Sequence, residues 1–365
     1  MTSCKNCLIP CAVPNVELDS THVCNLCNRY AVADPARNEI IRKGREIDLT
    51  EALQSSKRAK AAYDALVCLS GGKDSLYLLY KLKVEYGLKV LAFTTDMNVP
   101  PVAWDNIRRA IAKLDVEHLT FRPPQDFYRK FYRFLLQNQE ERGAVRTVCY
   151  VCAPLFEGYA LQAATEKGIP LVLAGYSPGQ PDPERMVYEF AERTISQTDW
   201  TPVELRESGL FSEQELSLFW NPFRYPEGTK FPRYLAPFHA WDYNQQRNME
   251  MVVKLGLAKN KQAASPIESN CHLNWLLMYS DLKNLGYNPY APEFSALVRE
   301  GKANRLYWQV MMPIINAMIK YRVGFGRHVN TYLKWLDLKE RDLIINRSKQ
   351  EVWPVQTNCE SITKR

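Results

Sequence analysis

No apolar run in this sequence approaches the roughly 20 residues needed to cross a bilayer, and its opening, Met1-Thr2-Ser3-Cys4-Lys5, carries no apolar signal core. A cytoplasmic protein without membrane association is therefore expected. There is no dense Lys/Arg block with interleaved aromatic residues, so the net charge of +7 and a pI near 8.8 permit nucleic acid without indicating it. Internal repeats and low-complexity segments are absent as well. Neither of two common nucleotide fingerprints, Gly-x4-Gly-Lys-Ser/Thr and Gly-x-Gly-x-x-Gly, occurs. What remains is ordinary globular composition, 46% apolar and 24% charged over 365 residues, a length that predicts two or three domains.

The most informative stretch is Ser70-Gly71-Gly72-Lys73-Asp74-Ser75. It follows a short apolar run at 65–69 and precedes a strongly helical one at 76–85. A buried strand turning through two glycines into a helix directs backbone N–H groups and the positive end of a helix dipole at one point, a geometry that holds phosphate. The bland reading is a turn that merely joins strand to helix. Chemically, amides of Gly71, Gly72 and Lys73 with the hydroxyls of Ser70 and Ser75 can cradle a departing pyrophosphate, and Lys73 adds positive charge where negative charge builds. Asp74 is the expected Mg2+ contact or a helix cap.

The six residues resemble the Ser-Gly-Gly-x-Asp-Ser signature of the PP-loop ATP pyrophosphatases. That resemblance implies ATP cleaved between its α- and β-phosphates, a substrate oxygen adenylated, and AMP displaced by a nitrogen or sulfur nucleophile.

Strand candidates at 65–69, 89–95, 117–121 and 170–174 alternate with helical stretches near 76–86, 102–114, 126–139 and 155–167. The expected fold class is α/β, a doubly wound parallel sheet of adenine nucleotide alpha hydrolase type, with an N-terminal zinc ribbon and a helical C-terminal region. Its active site should lie at the carboxyl ends of the strands. Asp96 and Gly175, each at a strand end, should then border ATP, as ordinary strand-end residues also could. The expected divisions are a ribbon at 1–33, a helical linker at 34–60, the ATP-binding domain at 61–200, a mostly helical acceptor-binding region at 201–350 and a tail at 351–365.

Ten cysteines, several in Cys-x-x-Cys spacing, point to metal or redox work before disulfides. Cys4, Cys7, Cys24 and Cys27, with sixteen residues between the pairs, match four-thiolate Zn2+ ribbons, in a segment too short to have a core without the ion. Cys11 is expected not to ligate. The wording around these cysteines, Cys4-Lys5-Asn6-Cys7-Leu8-Ile9-Pro10 and Val23-Cys24-Asn25-Leu26-Cys27, also resembles the opening of bacterial N-acetyl sugar amidotransferases. So does the succession from Gly286-Tyr287 through Ser295-Ala296-Leu297 to Gly301 and Arg305.

Cys149-Tyr150-Val151-Cys152 reads as the opening of the helix before the fourth strand, and residues 265–272 as the opening of another, with Ser269 or Asn270 as cap. A Cys-x-x-Cys pair plus Cys271 on a PP-loop protein is similar to the iron-sulfur tRNA thiolation enzymes, which implies a [4Fe-4S] cluster on Cys149, Cys152 and Cys271 with one iron left open. A persulfide carrier with a resolving thiol, a second zinc site completed by His272, and buried apolar cysteines are the alternatives. Arginines common after that Cys-x-x-Cys in thiolation enzymes are replaced by Ala153-Pro154-Leu155-Phe156, which counts against tRNA.

The proline- and aromatic-rich region 178–243 reads as irregular connection and lid. Asp182 and Glu184 stand there as magnesium ligands or a solvated acidic turn, and His239 as an acceptor-pocket residue or a satisfied core histidine. Helices are expected at 274–285, 305–321 and 328–339. Arg299 and Arg305 could reach a phosphate or pair with acids.

These readings converge on an ATP-dependent sulfurtransferase that adenylates an acceptor carbonyl or amide oxygen and replaces it with sulfur. A small-molecule acceptor is preferred to tRNA, sulfur comes from a donor protein or sulfide, and a homodimer is compatible with the chain. The alternative keeps the activation and uses ammonia on an N-acetyl sugar. It requires a glutaminase partner, since no glutamine-hydrolysing constellation can be picked out here. A zinc-ribbon RNA-binding module with a degenerate ATP site is the third reading.

Overall fold

The computed structural model describes residues 2–32, 35–178, 180 and 185–345. Five parallel strands form one sheet: β1 (Ala65–Cys68), β2 (Val90–Thr95), β3 (Glu117–Phe121), β4 (Leu171–Ala174) and β5 (Arg233–Leu235), in the order β3-β2-β1-β4-β5. The chain builds outward through β2 and β3, then crosses to the other side of β1 for β4. A crevice therefore opens above β1 and β4, where connections leave in opposite directions.

Because side chains alternate along a strand, the sheet divides its apolar residues between two cores. Leu66, Leu91, Phe93, Val172, Ala174 and Tyr234 face one core, shared with α5 (Gln125–Gln137) and α6 (Ala144–Glu166). Ala65, Val67, Val90, Ala92, Leu171 and Leu235 face the other, with α3 (Lys73–Tyr80) and α4 (Pro101–Leu114). Burial of β1 and β4 on both faces explains why they read as unbroken apolar runs.

The four expected strands are present within a residue or so, and the fifth is new. Its three residues follow Pro232 in a segment whose composition hides it, and such a short strand suits a sheet edge. The surrounding region is not simply an irregular lid. It contains the short helices Glu192–Ser196, Val203–Glu207 and Glu213–Leu216, and buries Phe190, Trp200, Phe219 and Trp220. The helix Pro35–Arg58, expected as a linker, packs Leu49, Ala52 and Leu53 into the second core.

Two corrections concern the cysteines. Helix α6 begins at Ala144, so Cys149 and Cys152 lie within it rather than at its opening, and it continues through Pro154. Near Cys271 the chain forms a short helix, Pro266–Ser269, capped by Ser265 instead of Ser269 or Asn270; Cys271 sits between it and the helix Asn274–Asn284. Further helices include Asn25–Val32, Gln245–Lys254, Ala291–Arg299, Arg305–Tyr321 and His328–Leu336. Asp182, Glu184 and the 351–365 tail lie outside the described residues.

Candidate active site

Between β1 and α3 the loop is shaped by its first glycine. Gly71 has φ +78°, and a Cβ there would stand 2.3 Å from the Ala103 carbonyl oxygen, so no other residue fits. Across the crevice Gly175 follows β4, where a Cβ would come within 2.9 Å of the Ser75 amide nitrogen. Two bare backbones thus allow the strand ends to close on the start of α3. No side chain caps that helix, leaving its first N–H groups for a ligand.

Ser70 and Ser75 brace the loop: their hydroxyls lie 3.1 Å apart, the Ser70 amide donates to Ser75 Oγ at 3.2 Å, and Ser75 Oγ donates to the Gly72 carbonyl. Lys73, 7% exposed, places Nζ 2.5 Å from Asp74 Oδ2. Burial is the largest single effect and opposes its charge, but Asp74, Tyr243 and Glu293 together offset it and hold the ammonium above its ordinary pKa. Asp74 also accepts from Asn248 Nδ2 at 3.0 Å and from Tyr243 Oη at 3.4 Å. Neither of these two partners was singled out from the sequence, because both come from distant loop and helix positions.

A cavity of about 340 Å³ opens over this loop. Ser70, Gly72, Lys73, Asp74, Ser75 and Gly175 line it, with Gly71 set back against Ala103. Asp96 does not. Its carboxylate is held by Arg122 and accepts the Val99 N–H at 3.3 Å, and its carbonyl accepts from Tyr128, so it shapes the loop after β2 while Met97 and Val99 reach the cavity. His239 takes the satisfied reading, with Nε2 2.8 Å from the Gln180 carbonyl and 3.2 Å from that of Ser177.

Cys152 and Cys271 line the nucleotide cavity although 118 residues separate them in sequence. Cys152 Sγ lies 3.7 Å from both Tyr132 Oη and Met97 Sδ, and Cys149 Sγ lies 3.8 Å from Asn274 Oδ1. Burial pushes all three thiols up, Cys152 to about 12; Cys271 raises Cys152 further, and Cys152 and Cys271 both raise Cys149. Thiols raised in this way disfavour a free nucleophilic thiolate. Among the described residues the three do not form a cluster close enough for one ion, and His272 instead stacks on His328. Cys152 and Cys271 face one cavity, whereas Cys149 lines neither cavity and lies on α6 beside Asn274. Cys68, at the end of β1, adds a further thiol to the cavity.

The amino-terminal cysteines present the opposite arrangement. All four Sγ atoms of Cys4, Cys7, Cys24 and Cys27 lie within 4.8 Å of one another, and all are buried. Burial alone would raise the Cys4 thiol, but N–H groups of Cys7, Cys24 and Asn6 bring it down to about 7. This donor set and spacing fit a tetrahedral Zn2+ site, with Cys11 exposed outside it. Among the described residues, Arg299 and Arg305 turn to the ribbon: Arg299 Nη1 donates to Cys7 Sγ at 3.7 Å, and Arg305 Nε to the carbonyls of Lys5 and Asn6 at 3.1 Å.

A second cavity, about 130 Å³, shares Lys73, Asp74, Gln180, Pro266, Asn270 and Cys271 with the first. Its far side is apolar and aromatic, including Trp275, Phe294, Trp308 and Ile315. Glu293 on its wall is raised to about 7, chiefly by burial. Asp281, which accepts the Ala144 and Val145 N–H groups at the start of α6, is likewise raised to about 7 by burial. Both carboxyls retain protons in the folded chain that the unfolded chain releases. Their contribution to stability is therefore full below about pH 4 and lost as pH rises through about 7. Asp281→Asn should flatten that decline by on the order of 3 kcal/mol between pH 4.5 and 8, measured by urea unfolding; an unchanged pH slope would contradict the assignment.

No family profile matches the chain. A segment of 146 residues, 38% of this chain, is 32% identical to the tRNA-cytidine(32) 2-sulfurtransferase of Dinoroseobacter shibae and covers 48% of that protein, so the chain spans about half the length of the curated relative it matches. Among solved structures, NMN synthetase from Francisella tularensis is similar at 13% identity and TM-score 0.35, over 85% of this chain and 99% of that one. The U34-tRNA thiolase NcsA from Methanococcus maripaludis with its [4Fe-4S] cluster is similar at 13% identity and TM-score 0.34, over 92% and 89%. Residues 70–75 are seated where the parallel sheet changes winding direction, and the chain is similar to the sulfurtransferase over part of its length.

Proposed function

We propose that the chain is an ATP-dependent adenylating sulfurtransferase. The observation that carries this reading is the placement of Cys152 and Cys271 in the wall of the cavity that holds the nucleotide loop. In the reaction, an acceptor oxygen attacks the α-phosphorus of ATP and pyrophosphate leaves. A sulfur nucleophile from the donor then adds at the activated carbon, and the oxygen departs with AMP.

The loop amides and Lys73 stabilise the leaving pyrophosphate, and Asp74, held by Asn248 and Tyr243, would hold Mg2+, which supplies charge neutralisation on the phosphates. Cys149, Cys152 and Cys271 would hold a [4Fe-4S] cluster, which when bound supplies an iron site able to carry sulfur. The ribbon holds Zn2+ structurally.

The second cavity is the acceptor site on this reading, because it meets the nucleotide cavity at Lys73, Asp74 and Cys271. Its volume is close to that of an engineered cavity of ~150 Å³ that holds one benzene ring. One ring of the acceptor fits, whether it belongs to a small molecule or to a nucleotide of an RNA. The matched relative is by name a tRNA enzyme, which weighs against the preference for a small molecule. Residues 61–200 perform the ATP chemistry in this division, and 201–350 bind the acceptor.

Protein purified without oxygen should contain about four iron and four sulfide per chain, lost in Cys149→Ala. Zinc without iron would sink the cluster and move the assignment to ammonia as nucleophile, with a glutaminase partner.

A further inference from the structure

We infer that the four-cysteine ribbon braces the wall of the second cavity, with Arg299 and Arg305 as the positioning residues that connect the two. The importance of that wall rests on its reading as the acceptor site. The mechanical link itself does not.

Arg299 ends the helix Ala291–Arg299, and Arg305 begins the helix Arg305–Tyr321. These adjacent helix ends meet the ribbon at one knuckle. Arg299 donates to the Cys7 sulfur at 3.7 Å, while Arg305 holds the carbonyls of Lys5 and Asn6, the two residues between Cys4 and Cys7. Leu8, just beyond, leaves the ribbon's small cluster and packs on the main core. The same two helices supply Glu293 and Phe294, and Trp308, Met312 and Ile315, to the cavity wall. Phe294 and Trp308 stack with ring centroids 3.6 Å apart, so the two helices pack directly on each other at that depth.

Four thiolates around one Zn2+ carry net negative charge, and a guanidinium donating to one of them neutralises part of it and fixes the ligand's orientation. The same metal fixes the Lys5 and Asn6 carbonyls that Arg305 grips. Without it the ribbon's core consists of little beyond its own four cysteines, Ile9 and Val16. It then cannot hold those carbonyls in place. Metal occupancy at the surface is thereby coupled to order in the cavity wall.

The test is hydrogen exchange, followed by mass spectrometry on the full chain, in zinc-loaded protein, in protein stripped by a chelator, and in Arg305→Ala. Stripping zinc should speed exchange in peptides covering 291–299 and 305–321 about tenfold, with peptides covering 65–80 unchanged. In Arg305→Ala those helices should already exchange faster with zinc bound, and stripping should add little. Acceleration confined to residues 2–32 would overturn the brace, as would equal acceleration throughout the chain. Should Arg305→Ala fail to fold, the wild-type comparison decides alone. The exchange readout needs no acceptor, so the brace stands or falls whether or not the second cavity binds the acceptor.

Discussion

Lys73→Ala lowers the rate of ATP-dependent pyrophosphate release by about 10²–10³-fold, the usual loss when one preorganised charge opposite a developing anion is removed. The expectation rests on burial. Lys73 is 7% exposed and held beside Asp74, so its charge acts at low local dielectric and requires no reorganisation as the phosphate bond breaks. Nucleotide affinity should fall less, because the N–H groups at the start of α3 and the hydroxyls of Ser70 and Ser75 remain. Lys73→Arg should recover only part of the rate, since a planar guanidinium does not fit the position of a compact ammonium. Pyrophosphate release close to the wild-type rate in Lys73→Ala would remove the loop's assigned chemistry.

Cys271→Ala separates the two halves of the reaction. Pyrophosphate release with acceptor present should stay near the wild-type rate, while sulfur-containing product falls below detection and iron content drops with it. The reason is position: Cys271 lies in the shared wall of both cavities, and Ser265 rather than Cys271 caps the short helix before it. Removing its thiol takes away one of three proposed ligands and leaves the nucleotide loop intact. Measuring pyrophosphate and product in the same sample decides the matter. Parallel loss of both would mean that Cys271 serves adenylation or folding instead.

A contrast between the two cysteine groups supports different chemistry for each. The ribbon thiols converge within single-ion distance, whereas Cys152 and Cys271 face a cavity and form no such group among the described residues. Burial raises thiols in both places, Cys7 to about 11 and Cys152 to about 12, so the contrast is one of geometry. The first arrangement suits a small ion, and on the proposed function the second would take a larger group.

Residues 70–75 are legible in the sequence because the phosphate loop is local. Strand, glycine turn and helix are contiguous, and the left-handed φ +78° at Gly71 is a local conformation that favours glycine. The four longer strands and the Cys-x-x-Cys knuckles are contiguous signals of the same kind. Strand β5 carries no such signal, since three residues cannot show a period and their strand identity comes from pairing with β4.

Tertiary packing alone decided which side chains share a site. It turned Asp96 toward Arg122, brought Cys271 to Cys152, set Asn248 and Tyr243 on Asp74, and sent Arg299 and Arg305 to the ribbon. Local backbone preference is a property of neighbouring residues. Which distant groups face one another depends on how helices pack over the two faces of the sheet, and no short window of sequence contains that information.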